Sequence, residues 1–497
     1  MEHKKSSPGL ENAVFVSDET SDAQQGSYAD ERGVSGSKDD NSSVSSISND
    51  SERSILKAVT RGPGLLNSRH DKNATSEFSA FFNLLKANIG TGMLALPQAF
   101  FYAGVWVALV MTPLIGIIAT HCMHLLLESS RLLCARINAE SLSYEETMNA
   151  AFITGPEKLR PITKFMTIAT KAFICTTQIG FVCVYYEFVC ENLYQLIECN
   201  PSMSLGLTLV DYKLILFIPF LLVCSATELK VIGYMSITSC ALFVAAIAII
   251  LYYCTRDLQQ YPVGDLPAFG GWKTFPLYFG TIVFAVEGIG CMLPIENRMA
   301  DPSNFSGIIG VLNTCMVIVV CLYTGIGFFG YVRYREDVQG AITLNLPSDE
   351  VLSQVTKGLV SVAVFLSYPI QLYVVAQLFT KLWTRETDSK RTILYKNYGV
   401  RAACVTFTLC TALAIPNVGL FISLVGSISG AMMCLILPPV VHLVAVWPER
   451  GPDTLLIVKA VFIVCFGMLG SIVGSVTSIF AIVDFFSSSA NGALLCS

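Results

Sequence analysis

The sequence predicts an all-α polytopic membrane protein of about eleven transmembrane helices, arranged as a five-plus-five inverted repeat in which helices 1 and 6 are broken. Composition is the first observation: the 497 residues are 53% hydrophobic and 14% charged, whereas a soluble domain averages about 25% charged residues. The second is a series of continuous apolar stretches of about 20 residues, the length of a membrane-crossing helix. The third is a pair of matching glycine motifs, five spans apart.

Composition also excludes several classes of function. So few charges cannot cover a water-facing surface of this size, and a net charge of −5 argues against a nucleic-acid partner. The sequence has no HExxH motif, no GxSxG motif with partners and no clustered carboxylates, so we expect no enzyme activity. The 17 cysteines lie mostly in apolar stretches and have no CxxC spacing. We therefore expect small buried thiols, no metal site and no cofactor besides a coupling ion.

The chain divides into three segments. Residues 1–75 are rich in serine and acidic residues, so they cannot bury enough apolar surface to fold and are predicted to form a disordered cytosolic tail. Residues 76–486 form the transmembrane domain, and residues 487–497 a short extracytosolic C-terminal end. The eleven spans are expected near 79–101, 104–127, 163–190, 213–226, 231–254, 275–294, 307–332, 354–383, 400–415, 418–446 and 455–485.

The loops predict the orientation. Lysine and arginine concentrate in alternate connections, such as 128–164 and 381–401, and the connections between them hold few. Positive residues favour the cytosolic side of a membrane. We therefore expect a cytosolic N-terminus and, with an odd number of spans, a C-terminus on the opposite side.

Two spans carry signals that interrupt a helix. The first contains Gly90 and Gly92 near its middle, and the sixth contains Gly288 and Gly290 at the corresponding depth, each pair followed by a proline. Interrupted helices at matching positions in two halves indicate a transporter binding site. The alternative is that these glycines only allow close helix packing.

An unwound turn would expose backbone groups to a ligand. Free N–H groups begin the second half-helix and suit a carboxylate, while free carbonyls end the first half-helix and suit an ammonium group. This combination favours an α-amino acid. The residues expected at this substrate site are Asn88, Ile89, Gly90, Thr91, Gly92, Phe284, Ala285 and Gly288.

Side chains on other spans are further candidates. Tyr186 on the third span and Ser367 on the eighth could line the cavity, although each could equally serve packing. Glu287 lies beside the sixth-span break, where a buried carboxyl could carry a proton; the alternative is a carboxyl satisfied by polar groups of a neighbouring helix. We expect Lys171 and Glu187 to be solvated near the ends of the third span.

Four stretches resemble one known family. Residues 83–97, 143–152, 284–297 and 339–347 resemble, in order, motifs of the proton-coupled amino-acid transporters, which are solute carrier family 36 of the amino-acid/auxin permease superfamily. This resemblance implies a LeuT/APC-like inverted-repeat fold and uptake, or lysosomal efflux, of small amino acids.

One residue departs from the family pattern. Proton-coupled members carry a histidine where this chain has Asn83, and an amide does not titrate near neutral pH. The remaining candidates for proton coupling are Glu287 and Glu296, and a sodium-coupled or uncoupled mechanism stays open.

Together these observations favour a secondary active transporter of small neutral amino acids in the lipid bilayer. The alternative function is an amino-acid sensor, or transceptor, that signals through cytosolic partners of the N-terminal tail. The sequence does not choose between the plasma membrane and a lysosomal or endosomal membrane.

Overall fold

The structure is a computed structural model that describes residues 75–200, 204–227, 229–256, 258–384, 388–415, 417–451 and 454–487. The predicted disordered tail and the predicted extracytosolic end lie almost entirely outside these residues, so both stay predictions.

The described residues form helices joined by short connections. The first half contains α1 (Glu77–Asn88), α2 (Thr91–Leu94), α3 (Leu96–Ala103), α4 (Val105–Ile137), α5 (Tyr144–Thr154), α6 (Thr163–Glu198), α7 (Leu209–Cys224) and α8 (Leu229–Thr255). The second half contains α9 (Phe275–Ala285), α10 (Ile289–Glu296), α11 (Val311–Tyr334), α12 (Val351–Trp383), α13 (Lys390–Ala414), α14 (Val418–Val425), α15 (Leu437–Arg450) and α16 (Thr454–Ser487). Two π-helical segments, Gly426–Gly430 and Met432–Ile436, join α14 to α15.

Eight helical stretches within the described residues are long and apolar enough to cross a membrane. Three further segments occupy predicted span positions: the interrupted first span (α1–α3), α7 with 16 residues and α13 with its polar first turns. Spans 1 to 11 below are α1–α3, α4, α6, α7, α8, α9–α10, α11, α12, α13, α14–α15 and α16. The number eleven itself stays a prediction, because these three are shorter, interrupted or more polar than the rest.

Several helices extend beyond the predicted spans. The α6 helix has 36 residues, which corresponds to about 54 Å of helix, whereas the hydrocarbon core is about 30 Å thick. The α4 helix continues to Ile137 and ends at Asn138, which has the left-handed conformation that closes many helices. Hydropathy predicts the part of a helix that lies in lipid and misses the turns that project from it.

Helices at corresponding positions of the two halves pack against each other. Span 1 contacts span 6, span 2 contacts span 7, span 3 contacts span 8 and span 4 contacts span 9. Because five spans separate the members of each pair, the two run in opposite directions through the membrane. This arrangement confirms the inverted-repeat fold.

Two of the three interrupted or irregular spans, spans 6 and 10, lie at the centre. Spans 6 and 10 are each 83% buried over their most apolar window, whereas span 11 is 17% buried. Span 11 therefore lies at the periphery, and the core surrounds the break in span 6.

One cysteine differs from the expectation of free buried thiols. Cys199, directly after α6, is disulfide-bonded, while the other described cysteines are free. The sequence pattern did not predict a disulfide at this end of α6.

Candidate functional site

The first break lies where the glycine motif predicts it. The α1 helix ends at Asn88, and Ile89 and Gly90 are extended before α2 begins at Thr91. The first N–H groups of a helix have no acceptor within the helix, and here they belong to Thr91 and Gly92. This end of α2 therefore presents donors to the centre of the protein.

The second break follows α9, which ends at Ala285. Residues 286–288 form a tight turn, and α10 begins at Ile289. The N–H of Gly288 donates to the carbonyl of Val286 at 2.9 Å. Both interruptions of helices 1 and 6 are thus present, at the predicted residues.

The two breaks fit into each other without space for added atoms. A Cβ atom on Gly92 would lie 2.8 Å from the Cα atom of Ala285, and one on Gly288 would lie 2.4 Å from the side-chain oxygen of Asn88. By contrast, a Cβ atom on Gly90 would meet only the Tyr185 hydroxyl, at 3.5 Å. Gly92 and Gly288 therefore serve the close approach of the two spans, while Gly90 borders open space.

Tyr323 of α11 connects the breaks. Its hydroxyl oxygen lies 2.5 Å from the carbonyl oxygen of Asn88 and 2.6 Å from that of Ala285. These are the carbonyls that the two half-helices leave free, and one of them was expected to face a ligand directly. Sequence analysis missed Tyr323; the available signal is a tyrosine in an apolar span, since a buried hydroxyl needs a partner.

A small cavity lies between the breaks, with a volume of about 20 Å³. That volume holds about one water molecule, so the conformation is closed and a larger ligand requires the helices to move. The lining residues are Ala87, Asn88, Gly90, Thr91, Gly92, Phe181, Tyr185, Phe284, Ala285, Glu287 and Gln371.

Most of the predicted substrate residues lie on this cavity, and four do not. Ile89 and Gly288 belong to the breaks but are not among the lining residues. The Tyr186 hydroxyl donates to the carbonyl of Lys213 at 2.5 Å, and the hydroxyls of Ser367 and Ser239 lie 2.6 Å apart. Whether any of the predicted residues binds a substrate stays a prediction.

Tyr185 and Gln371 line the cavity, where Tyr186 and Ser367 were expected. Their side chains are close enough to interact. Neighbouring residues of a helix point about 100° apart. Predicting which of Tyr185 and Tyr186 lines the cavity therefore requires knowing how α6 is rotated about its axis. Gln371 lies one turn beyond Ser367, on the same face of α12.

Glu287 lies in the second break and is 8% exposed. Thr177 of α6 lies near its carboxyl, but neither the Thr177 hydroxyl nor Oε2 of Glu287 has a hydrogen-bond partner among the described residues. A Cβ atom on Gly430 would lie 2.8 Å from that oxygen. The carboxyl therefore faces the π-helical segment of span 10, and such segments are frequent at functional sites.

Glu296, the other predicted coupling residue, has a different environment. Its carboxyl pairs with Arg131 of α4 at 3.2 Å. The same guanidinium donates to the Ser306 hydroxyl at 2.8 Å and to the Pro302 carbonyl. Glu296 therefore belongs to an ionic contact at the end of α10, outside the cavity.

The prediction of a solvated Glu187 is wrong. Its Oε1 lies 2.7 Å from the ammonium nitrogen of Lys213, and both side chains are 2% exposed. Sequence spacing compares residues of one helix, whereas this partner comes from α7. Lys171 does lie at an exposed position, 3.6 Å from Glu145.

No group of three or more histidine, cysteine or acidic side chains that could hold a metal ion is found in the described part of the chain.

The fold and the site define a multi-pass integral membrane protein with two broken helices around a central cavity. Residues 73–480 match the family described as transmembrane amino acid transporter protein, and the chain belongs to this family. It is a family of transporters and not of enzymes.

Two curated relatives agree with this assignment. The chain is 31% identical to a proton-coupled amino acid transporter-like protein, pathetic, of Drosophila melanogaster over 429 residues, which cover 85% of this chain and 88% of the relative. It is 27% identical to a probable amino acid transporter, skat-1, of Caenorhabditis elegans over 419 residues, covering 82% and 90%.

Solved structures show weaker similarity. A Na⁺-coupled sialic acid symporter in a substrate-bound outward-open state matches with a TM-score of 0.44 and 12% identity over 86% of this chain and 96% of that one. MhsT in complex with L-phenylalanine matches with a TM-score of 0.45 and 11% identity over 82% and 98%. The family assignment rests on the sequence matches.

Proposed function

We propose that this chain is a secondary active transporter that moves small neutral amino acids across a membrane by alternating access. The observation that carries the proposal is the meeting of the two breaks. Thr91 and Gly92, whose N–H groups begin α2, line the same cavity as Asn88 and Ala285, whose carbonyls end α1 and α9. Donors for a carboxylate and acceptors for an ammonium group thus lie within one small space.

The shape of the cavity supports small substrates. Phe181, Tyr185 and Phe284 surround the space beside Gly90, and the rings of Phe181 and Phe284 are 4.8 Å apart between centroids. A substrate side chain would extend toward these rings, which leave little room for a long or charged group. The small volume means that the site must open to admit a substrate, which is consistent with the alternating access that we propose.

Energy coupling is the finer part of the proposal. We place the transported proton on Glu287, because its carboxyl borders the cavity and has an oxygen without a partner among the described residues. Glu296 is the less favoured carrier, since it is paired with Arg131. With Asn83 in place of the family histidine, sodium coupling or uncoupled exchange remains an outcome of the test.

The disulfide at Cys199 supports the membrane orientation that we propose. The connection after α6 holds the disulfide-bonded Cys199, and disulfides persist in extracellular or lumenal compartments and rarely in the cytosol. This agrees with the cytosolic N-terminus that the basic loops indicate. The plasma membrane and the lysosomal or endosomal membrane both satisfy this constraint.

The experiment is uptake of radiolabelled small amino acids into proteoliposomes, with proton and sodium gradients imposed separately. Saturable uptake of alanine, glycine or proline supports transport, and the gradient that drives accumulation identifies the coupling ion. Saturable binding of these amino acids without flux would contradict transport and favour the sensor function.

A further inference from the structure

A second group of buried charges lies away from the cavity, where spans 3 and 4 pack together. Glu187 and Glu191 stand one turn apart on α6, and Lys213 of α7 faces them. The three side chains are buried, with 1%, 3% and 2% of each residue exposed. We call these three residues the α6–α7 charge cluster.

Both carboxyls of the cluster have oxygens without a hydrogen-bond partner among the described residues, but only Glu187 has an ion pair within 4 Å. The Lys213 ammonium group contacts Glu187 at 2.7 Å and donates to the Ala412 carbonyl at 2.7 Å. Glu191 accepts one long bond, 3.4 Å, from the N–H of Val418 at the start of α14. Its other oxygen, Oε2, is buried and has no hydrogen-bond partner among the described residues.

Among the described residues, Lys213 is the cation that acts on Glu191. The charged groups that act on it are Glu187 and Lys213, and the Cys190 thiol lies between the two carboxyls on α6. If both carboxyls were ionised, the cluster would carry a net charge of −1 in the interior of a membrane protein. An uncompensated buried charge costs several kcal/mol, so one carboxyl must be neutral in this conformation.

The titratable groups of the surrounding helices are engaged elsewhere. From α7, the Tyr212 hydroxyl donates to Glu198 at 2.9 Å. From α12, Lys357 donates to a backbone carbonyl at 2.9 Å, and the Tyr368 hydroxyl lies 3.0 Å from a hydroxyl of α13. The α13 thiol of Cys410 is exposed, and α14 has no titratable side chain.

An open cavity approaches the cluster from the Cys199 end of α6. Its volume is about 490 Å³, and its lining includes Gln195, Cys199, Asn200 and Asp349. Gln195 lies one helical turn from Glu191 on the same face of α6. The open cavity therefore reaches a residue one helical turn from Glu191.

We propose that the α6–α7 charge cluster is a proton-binding site, with one proton on Glu191 and an ion pair between Glu187 and Lys213. When Glu191 loses its proton, its negative charge needs a new partner, either water or groups of a displaced α14. Deprotonation is therefore accompanied by extension of the open cavity toward Glu191. The proton is drawn from the compartment that this cavity faces. Its effect on transport rests on the proposed function, whereas proton binding does not.

The first test measures protonation without any substrate. Infrared difference spectra of the purified full-length protein at neutral pH, wild type minus variant, report the carbonyl band of a protonated carboxyl. Glu191→Gln should lose this band, and so should Glu187→Gln, because the carboxyl that remains then pairs with Lys213. Lys213→Met should gain one such band.

The matched control is Glu198→Gln, at the exposed end of the same helix, which should leave the carboxylic-acid bands unchanged. An unchanged band in both Glu191→Gln and Glu187→Gln would show that neither carboxyl holds a proton, and would overturn the proposal. The opposite effects of Glu187→Gln and Lys213→Met keep the test decisive if Glu191→Gln fails to fold.

The second test concerns coupling to the cavity. Amino-acid exchange is measured in proteoliposomes with equal pH on both sides, over a range of pH values. Wild type and Glu198→Gln should share one pH profile, and Glu191→Gln should flatten it. A wild-type profile in Glu191→Gln would overturn the coupling, while absence of exchange in the wild type would contradict the proposed function and leave the infrared result standing.

Discussion

At the scale of single residues, the centre of the protein depends on side chains that satisfy backbone groups released by the two breaks. Tyr323 reaches the carbonyls of Asn88 and Ala285 with one hydroxyl, and Asn88 fills the space that Gly288 leaves. A glycine motif predicts that a helix is interrupted, but it does not name the residue on another span that stabilises the interruption. Tyr323 and Gln371 could be found only from the packing.

Tyr323→Phe tests the bridging hydroxyl. Without it, the two buried carbonyls lose the single proton that they share, at a cost of about 1–3 kcal/mol, and we expect transport to fall by about tenfold or more. Uptake rate and thermal stability are measured together. Tyr278→Phe is the control, because that hydroxyl is also buried but bonds Thr112 at 2.9 Å, away from the breaks. Equal loss of transport in both variants would mean that the effect is one of stability.

Glu287→Gln tests the proton carrier. Glutamine keeps the size and hydrogen bonding of the side chain but cannot ionise. We expect wild-type uptake to respond weakly to an imposed pH gradient, since Asn83 replaces the family histidine, and expect the response to disappear in the variant. Strong acid stimulation that survives the substitution would place the proton elsewhere, with Glu191 and Glu296 the next candidates. Loss of uptake at every pH would assign Glu287 to binding or structure instead.

At the scale of elements, the features that could be predicted are those whose sequence signal lies within a single helix. Continuous apolar stretches located the spans, and the Gly-x-Gly motifs located both breaks, because each of these signals lies within one helix. The π-helical segments at Gly426–Gly430 and Met432–Ile436 carry no such signal and depend on packing against α9 and Glu287. The pairing of Glu187 with Lys213 joins two helices and was likewise beyond sequence spacing.

Gly90→Val and Gly92→Val separate the two functions of the first break. Gly92→Val forces atoms into Ala285, so we expect a loss of stability of about 1–3 kcal/mol together with loss of transport. Gly90→Val meets only the Tyr185 hydroxyl and keeps an extended backbone, so the protein should remain folded while uptake falls by about 100-fold.

The control for both is Gly358→Val on α12, where an added Cβ atom has no neighbour within 4 Å. Membrane insertion and melting temperature are measured beside uptake. Wild-type affinity and rate in both Gly90→Val and Gly92→Val would remove the substrate site from the first break.

At the scale of the whole molecule, the inverted repeat and the charge of its loops determine different aspects of the topology. Pairing of spans 1–4 with spans 6–9 is a property of the packing, and it fixes the relative direction of the halves. Which side faces the cytosol depends on basic residues and on the compartment that keeps Cys199 oxidised.

Accessibility tags test the orientation and the parity of the span count. A tag placed before residue 75 should react only from the cytosol, and a tag placed after Ser487 only from the opposite side. Reaction of both tags from one side would require an even number of spans and would contradict the odd count. Tags in the connection around Lys390 should behave like the first tag.

The fit between Gly92 and Ala285, between Gly288 and Asn88, and of Tyr323 with both chains has a mechanical consequence. Because added atoms have no room at these contacts, the two breaks are not free to slide past each other in this conformation. We therefore expect spans 1 and 6 to move together at the breaks when the site opens, with Tyr323 as the side chain that contacts both.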